Sequence, residues 1–441
     1  MQHLPPIMAM QGLIATVLAL GAAWLARRVR LPGWTGALMV GLALGAVFRS
    51  HGSGLSFEPF FIGGQPQMHA IEKYTESHRC ERQTLVGTGV TDEAVRELDA
   101  QHAAELKPLI ETHAAEVRRH HDATRTLTLL IAALLLLIAA GDKPRRLGDA
   151  LPVALGAGVC ISGAAFGAAW LLLADSPQPG IRALLTAGCA AAALPISKRY
   201  LTGCNEDDRA LLTSVAWWLL TIALAIPAFA QSKIGLAPML MAAYLVLALL
   251  ARACDAMVSR GDKPRAAWRL LIGLAFGTAW LMLDQGGMKG LQGPSSLPPG
   301  VLLPGAAWLA GQVLIHPNFD PRTLMRLIGP ILALLVGMSV NVPVDFHPWL
   351  ALAALIALCD ARALGAWLMI RLLGGRGRDG MRCGAILAIP GPTSLVVAWF
   401  LHDLQVIDGP LFSSLVLAGL IGGLLGGAAL RLLSTVMERP A

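Results

Sequence analysis

Residues 384–400 read GAILAIPGPTSLVVAWF, an uncharged apolar stretch interrupted by Pro390-Gly391-Pro392 and followed by Thr393 and Ser394. Proline has no backbone N–H and clashes with the preceding helical turn. Two prolines around a glycine therefore predict a broken helix rather than a simple kink. A break in an apolar span frees carbonyl groups that hydrocarbon cannot satisfy, so it is tolerated only where protein or a protein-lined cavity surrounds it. The stretch predicts a helix bundle built around an interrupted helix.

The composition agrees with that reading. The 441-residue chain is 55% hydrophobic and 14% charged, with mean hydropathy +0.60, whereas a soluble globule is about a quarter charged. We expect an all-α polytopic membrane protein. Apolar segments able to cross roughly 30 Å of hydrocarbon fall at 7–26, 33–49, 126–141, 148–173, 180–197, 209–230, 236–257, 267–284, 300–315, 324–341, 348–373, 382–402 and 409–433, about 13 transmembrane helices. Basic clusters occupy alternate loops, at Arg27/Arg28/Arg30, Lys143/Arg145/Arg146, Lys198/Arg199, Arg260/Lys263/Arg265, Arg322/Arg326 and Arg376/Arg378/Arg382. That distribution orients membrane helices and gives the net charge of +7 a topological meaning, so nucleic acid is excluded as a partner. It places the N-terminus outside and the C-terminus in the cytoplasm, as in a bacterial inner (plasma) membrane protein embedded in its lipid bilayer. Basic residues follow the first apolar run and none precedes it, the reverse of a secretory signal, so the first helix is expected to be retained.

The chain divides into 1–50 (two helices), a polar insertion at 51–125 and the remaining bundle at 126–441. The insertion lies outside by this topology and repeats His102-Ala-Ala-Glu105 as His113-Ala-Ala-Glu116, a spacing of three helical turns that keeps both copies on one face. A helix is expected from about Thr91, interrupted at Pro108 and running on into the third span. His113, Glu116 and His120 at i, i+3 and i+7 would suit a divalent metal only if a further ligand converged; a solvated helix face is the simpler reading, and no metal is expected. Gly-Asp-Lys-Pro-Arg occurs at 141–145 and again at 261–265, where Asp as cap and Pro in the first turn favour local helix initiation over a duplicated module. Six of the seven cysteines fall in spans or at cytoplasmic ends and only Cys80 lies in the polar insertion, so no disulfide framework is implied.

A second stretch, SVAWWLLTI (Ser214–Ile222), sets two indoles near the middle of a span. Tryptophan in membrane proteins concentrates at the water interface, and neighbouring helical positions point about 100° apart, so at least one of these rings faces protein.

The segments LIGPILALLVGMSVNV (Leu327–Val342), Asp360–Gly426 and ALLTAGCAAAALPISKRYLTGCNEDDRALLTSVAWWLLTIALAI (Ala183–Ile226), in that relation and within an N-out topology, resemble the cation/proton antiporter superfamily, in particular its bacterial monovalent cation:proton antiporter-2 branch. The resemblance implies inverted repeats with two interrupted helices crossing near mid-bilayer, where unwound backbone makes an ion site. In this chain those helices would be 180–197, broken at Leu194-Pro195, and 382–402, broken at Pro390, Gly391 and Pro392. It also implies a degenerate ion site. The family's acidic pair after the first break aligns on Trp217 and Trp218, its Thr before the first break on Ala193 with Leu194 next, and its Arg-Gly-Glu on Pro390-Gly391-Pro392. Arg362 aligns with a lysine that pairs with the missing aspartate, and Asp360 stands two residues earlier. With Thr393 and Ser394 these form the expected transport core. An ionisable group deep in a span costs about 2.5–3.5 kcal/mol on insertion scales, so Asp360 and Arg362 are expected to line a relay or to satisfy freed carbonyls.

Two functions follow. One is a secondary transporter that moves protons with a monovalent cation or another solute; the other is a pseudo-antiporter that transports nothing and senses or binds an unknown extracytoplasmic ligand through 51–125. No nucleophile triad, phosphate loop, dinucleotide fingerprint or zinc-peptidase motif is present, so neither an enzyme nor a cofactor is expected; the resemblance implies a homodimer. The topology makes a direct prediction: a membrane-impermeant maleimide labels Cys80 in intact cells. Labelling of Cys80 only after lysis would reverse the orientation.

Overall fold

In a computed structural model the described residues are 6–29, 31–50, 65–87, 92–141, isolated positions between 156 and 170, 212–213, 215–221, 224, 237–259, 266–282, 303–315, 321–372, 377–403 and 407–437. Among them every element is a helix and there is no strand. The first expected break, with Ala193, Leu194 and Pro195, lies outside the described residues, as do most of 148–173 and nearly all of both Gly-Asp-Lys-Pro-Arg strings. The chain forms two compact units, one of Met1–Thr16 and Ala46–Thr128, the other of Val17–Gly45 and Leu129–Ala441.

The first unit contains the start of α1 (Pro6–Arg28), the end of α2 (Gly33–Ser50), α3 (Gln65–Gly87) and most of α4 (Asp92–Ala139). Rings join α3 to α4. Tyr74 stacks on His102 at 5.0 Å and His78 on His102 at 3.8 Å between centroids. Asp99 holds His78 and Arg82 at 3.2 and 3.5 Å, and the Tyr74 hydroxyl donates to Glu105. That hydrogen bond to a carboxylate keeps the phenol protonated, with its pKa pushed up to about 12. The expected interruption at Pro108 does not occur: α4 runs through it without a break. Proline removes one intrahelical bond, and the cross-helix contacts of Asp99, His102 and Glu105 fix the turn just before it. His113 and Glu116 are half-buried on α4, and no group of three metal-ligating side chains converges among the described residues.

The second unit is made of the rest of α1 and α2, the end of α4, and α5 (Ala237–Ser259), α6 (Ala266–Met282), α7 (Leu303–Leu314), α8 (Pro321–Ser339), the single turn α9 (Val342–Asp345), α10 (Pro348–Leu355), α11 (Ala361–Leu372), α12 (Gly377–Ala388), α13 (Pro392–Asp403) and α14 (Gly409–Met437). Residues 348–372 and 409–426 are long and apolar enough to cross a membrane, and 33–47, 124–139 and 323–339 form shorter apolar helices. Glycines bring helix backbones together, as small residues do in lipid. A methyl on Gly337 would lie 2.8 Å from the Leu38 carbonyl oxygen of α2, and one on Gly45 would lie 2.9 Å from that of Met338. Pro330 in α8 cannot donate to the carbonyl of Arg326, four residues back. Arg27 Nη2 from the end of α1 donates to that oxygen instead, at 2.7 Å. The start of α14 is capped by Asp408, whose Oδ1 accepts from Leu411 N–H at 3.2 Å, with Pro410 in the first turn as helix starts favour.

Asp255 and Arg269 are also buried in this unit, although the sequence reading placed only Asp360 and Arg362 deep in a span. Asp255 on α5 pairs with Arg252 at 2.6 Å and with Arg269 of α6 at 3.0 Å, and Arg269 reaches the Val313 carbonyl of α7 at 3.3 Å. One carboxylate thus ties three helices together. Removing one partner of a buried pair costs about 3–5 kcal/mol, so Asp255→Ala is expected to lower the melting temperature of the purified protein sharply. An unchanged melting curve would show that the pair is not a brace.

Candidate functional site

The interrupted helix forms as its prolines dictate. Helix α12 ends at Ala388 and α13 begins at Pro392, leaving Ile389, Pro390 and Gly391 unwound. Pro390 has no N–H for the Ile386 carbonyl, which accepts from Ile389 N–H at 3.4 Å. On the other side Gly391 O accepts from both Ser394 N–H, at 3.1 Å, and Ser394 Oγ, at 2.6 Å. Thr393 and Ser394 are buried, as is all of α13 from Pro392 to Leu401.

Helix α14 makes room for the break with glycines. A methyl on Gly422 would sit 2.8 Å from Pro390 Cγ and press on Cys359 Sγ, one on Gly426 would sit 2.7 Å from Ile389 Cγ1, and Gly419 faces Leu395. Gly329 of α8 lies against Pro392. The freed backbone is therefore enclosed by protein, as a break in an apolar bundle requires.

Cys359 belongs to a π-helical turn, Ile356–Asp360, inserted between α10 and α11, with Ala361 N–H bonded to Ile356 O five residues back. Such bulges change side-chain register and recur at functional sites. Asp360 ends this turn, and Arg362, two residues on, points to the opposite side as helical spacing requires. Arg362 is 0% exposed, whereas Asp360 is exposed.

The segment 215–221 is helical and buried on every side, which a helix apolar all round must be. Trp217 and Trp218 meet edge to face, with centroids 5.1 Å apart and planes at 87°. Trp308 of α7 lies 6.5 Å from Trp217. Its Nε1 donates to Thr221 Oγ1 at 3.3 Å, and Thr221 in turn donates to the Trp217 carbonyl at 2.7 Å. Among the described residues Trp217 and Trp218 have no acceptor for Nε1, and buried Gln312 on α7 has a partner for neither amide atom. Each unsatisfied buried group costs about 1–3 kcal/mol.

Sequence reasoning missed Trp308, Thr221 and Gln312. Gln312 is the polar residue inside the apolar run 303–314, a signal that could have found it. The contact of Trp308 with Thr221 spans 87 positions and leaves no local trace.

No protein-family model matches the chain, and no curated protein sequence does. Solved structures do match. The sodium proton antiporter MjNhaP1 from Methanocaldococcus jannaschii, at pH 8, superposes with a TM-score of 0.56 over 98% of this chain and 99% of its own, at 12% identity. At that identity the likeness concerns the fold: the chain is an all-α polytopic membrane protein built on the architecture of a sodium proton antiporter.

Proposed function

We propose that the chain is a secondary transporter of antiporter fold that no longer exchanges bare monovalent cations for protons and moves another solute. One observation carries this reading: the helix aligned with the family's acidic pair is enclosed on all sides at 215–221 and offers two tryptophans and no ionisable group. A cation stripped of water there would meet apolar walls, and an uncompensated charge in such surroundings is strongly disfavoured. The assignment to the antiporter-2 branch, the insertion at 51–125 outside, the cytoplasmic C-terminus, the inner-membrane location and the homodimer belong to the same proposal and rest on the sequence patterns described above.

A second reading is a pseudo-antiporter acting as a sensor or scaffold. It is favoured by the separate first unit, in which the stacked rings of Tyr74, His102 and His78 join α3 to α4. Proton movement in proteoliposomes under imposed sodium, potassium or lithium gradients tests the proposal. It is expected to stay at the level of protein-free liposomes. Robust cation-dependent exchange in the wild type would overturn it.

A further inference from the structure

Donors predominate among the unpaired buried groups around α7. Among the described residues, Trp217 Nε1, Trp218 Nε1 and Trp280 Nε1 are enclosed N–H donors without an acceptor, and Gln312 leaves both its amide N–H groups and its Oε1 unpaired. Trp308 and Gln312 are four residues apart on α7 and so lie one above the other on one face, the face that meets Thr221 and Trp217. Thr221 cannot serve the other indoles as an acceptor of equal standing: its oxygen already receives Trp308 and its proton goes to the Trp217 carbonyl.

Indole can only donate, and the edge of an aromatic ring carries its positive potential. A cation is attracted by a ring face instead, and the edge-to-face contact of Trp217 with Trp218 covers a face of one ring with the edge of the other. A cage for an organic cation would leave ring faces open and need no unpaired N–H. The arrangement wants lone pairs.

We propose that Trp217, Trp218 and Gln312 form a binding site for a small anion, held by indole and amide N–H groups where the family's cation site held carboxylates. This inference rests on the transporter reading above and names its substrate class. An inorganic halide and an organic carboxylate share the chemistry that such donors recognise.

Thermal melting of the purified full-length protein tests it, with potassium chloride and potassium acetate each titrated at constant ionic strength against potassium gluconate, whose six-carbon chain is too bulky for a small-anion site, and choline gluconate as the organic-cation control. A ligand that binds only the folded state raises the melting temperature saturably. Chloride or acetate is expected to do so, the arm that responds identifying the source, while choline gluconate has no effect. Trp217→Phe with Trp218→Phe, which keeps aromatic bulk and deletes both N–H groups, and separately Gln312→Leu, should weaken the apparent affinity by about tenfold or more. Should either variant fail to fold, the indole 15N–1H signals of the wild type give the same answer. Those of Trp217 and Trp218 should shift with chloride or acetate while that of Trp308, already bonded, holds still. Absence of a saturable anion effect, an effect untouched by the substitutions, or stabilisation by choline would overturn the proposal. Absence of any anion effect in the wild type with no cation exchange would sink this inference alone, whereas sodium- or potassium-driven exchange would sink the transporter reading itself.

Discussion

The backbone opened at Ile389, Pro390 and Gly391 must be enclosed by protein, and the packing of the second unit follows from that need. A carbonyl without a partner in an apolar bundle costs as much as several good packing contacts recover. The chain meets the demand locally by turning Ser394 back onto Gly391 O, and at longer range by laying the glycines of α14 against the break. The same logic operates at Pro330, where a missing donor is made good by Arg27 from another helix. Proline-made vacancies and small-residue contacts are two halves of one device, in which the first opens the backbone and the second lets a neighbour close over it.

Enclosure has a chemical consequence. In an interior shielded from water, whatever polar groups remain set which solutes can enter. Along 215–221 and α7 the unpaired groups among the described residues are mostly N–H donors, with Gln312 Oε1 as an acceptor, and the buried carboxylate Asp255 is already committed to two arginines. Arg362 is buried, and Asp360, two residues earlier at the end of the π-helical turn, is exposed. A fold shared with a sodium proton antiporter does not by itself carry that protein's chemistry with it.

Much of this was legible in the sequence because it is local. Among the described residues hydropathy located the apolar helices to within about five residues, and Pro390-Gly391-Pro392 announced its break because proline acts on its own turn. The opposite exposures of Asp360 and Arg362 were legible as well, because positions two apart on a helix point about 200° apart. The π-helical turn ending at Asp360 was not legible, since no local pattern announces its inserted residue. Pro108 failed in the other direction: its local effect was overridden by contacts between α3 and α4. Asp255 and Arg269 were visible as charges within apolar runs, but their pairing across α5 and α6 is tertiary, as is the contact between Trp308 and Thr221.

A structure of the full-length protein in a lipid nanodisc at side-chain resolution tests the central claim most directly. The account predicts a helix interrupted at 389–391, seated on Gly422 and Gly426, with both rings of Trp217 and Trp218 enclosed by protein and no carboxylate beside them. A continuous helix through 377–403, or indoles of Trp217 and Trp218 turned out to lipid around a site lined by acidic side chains, would contradict it.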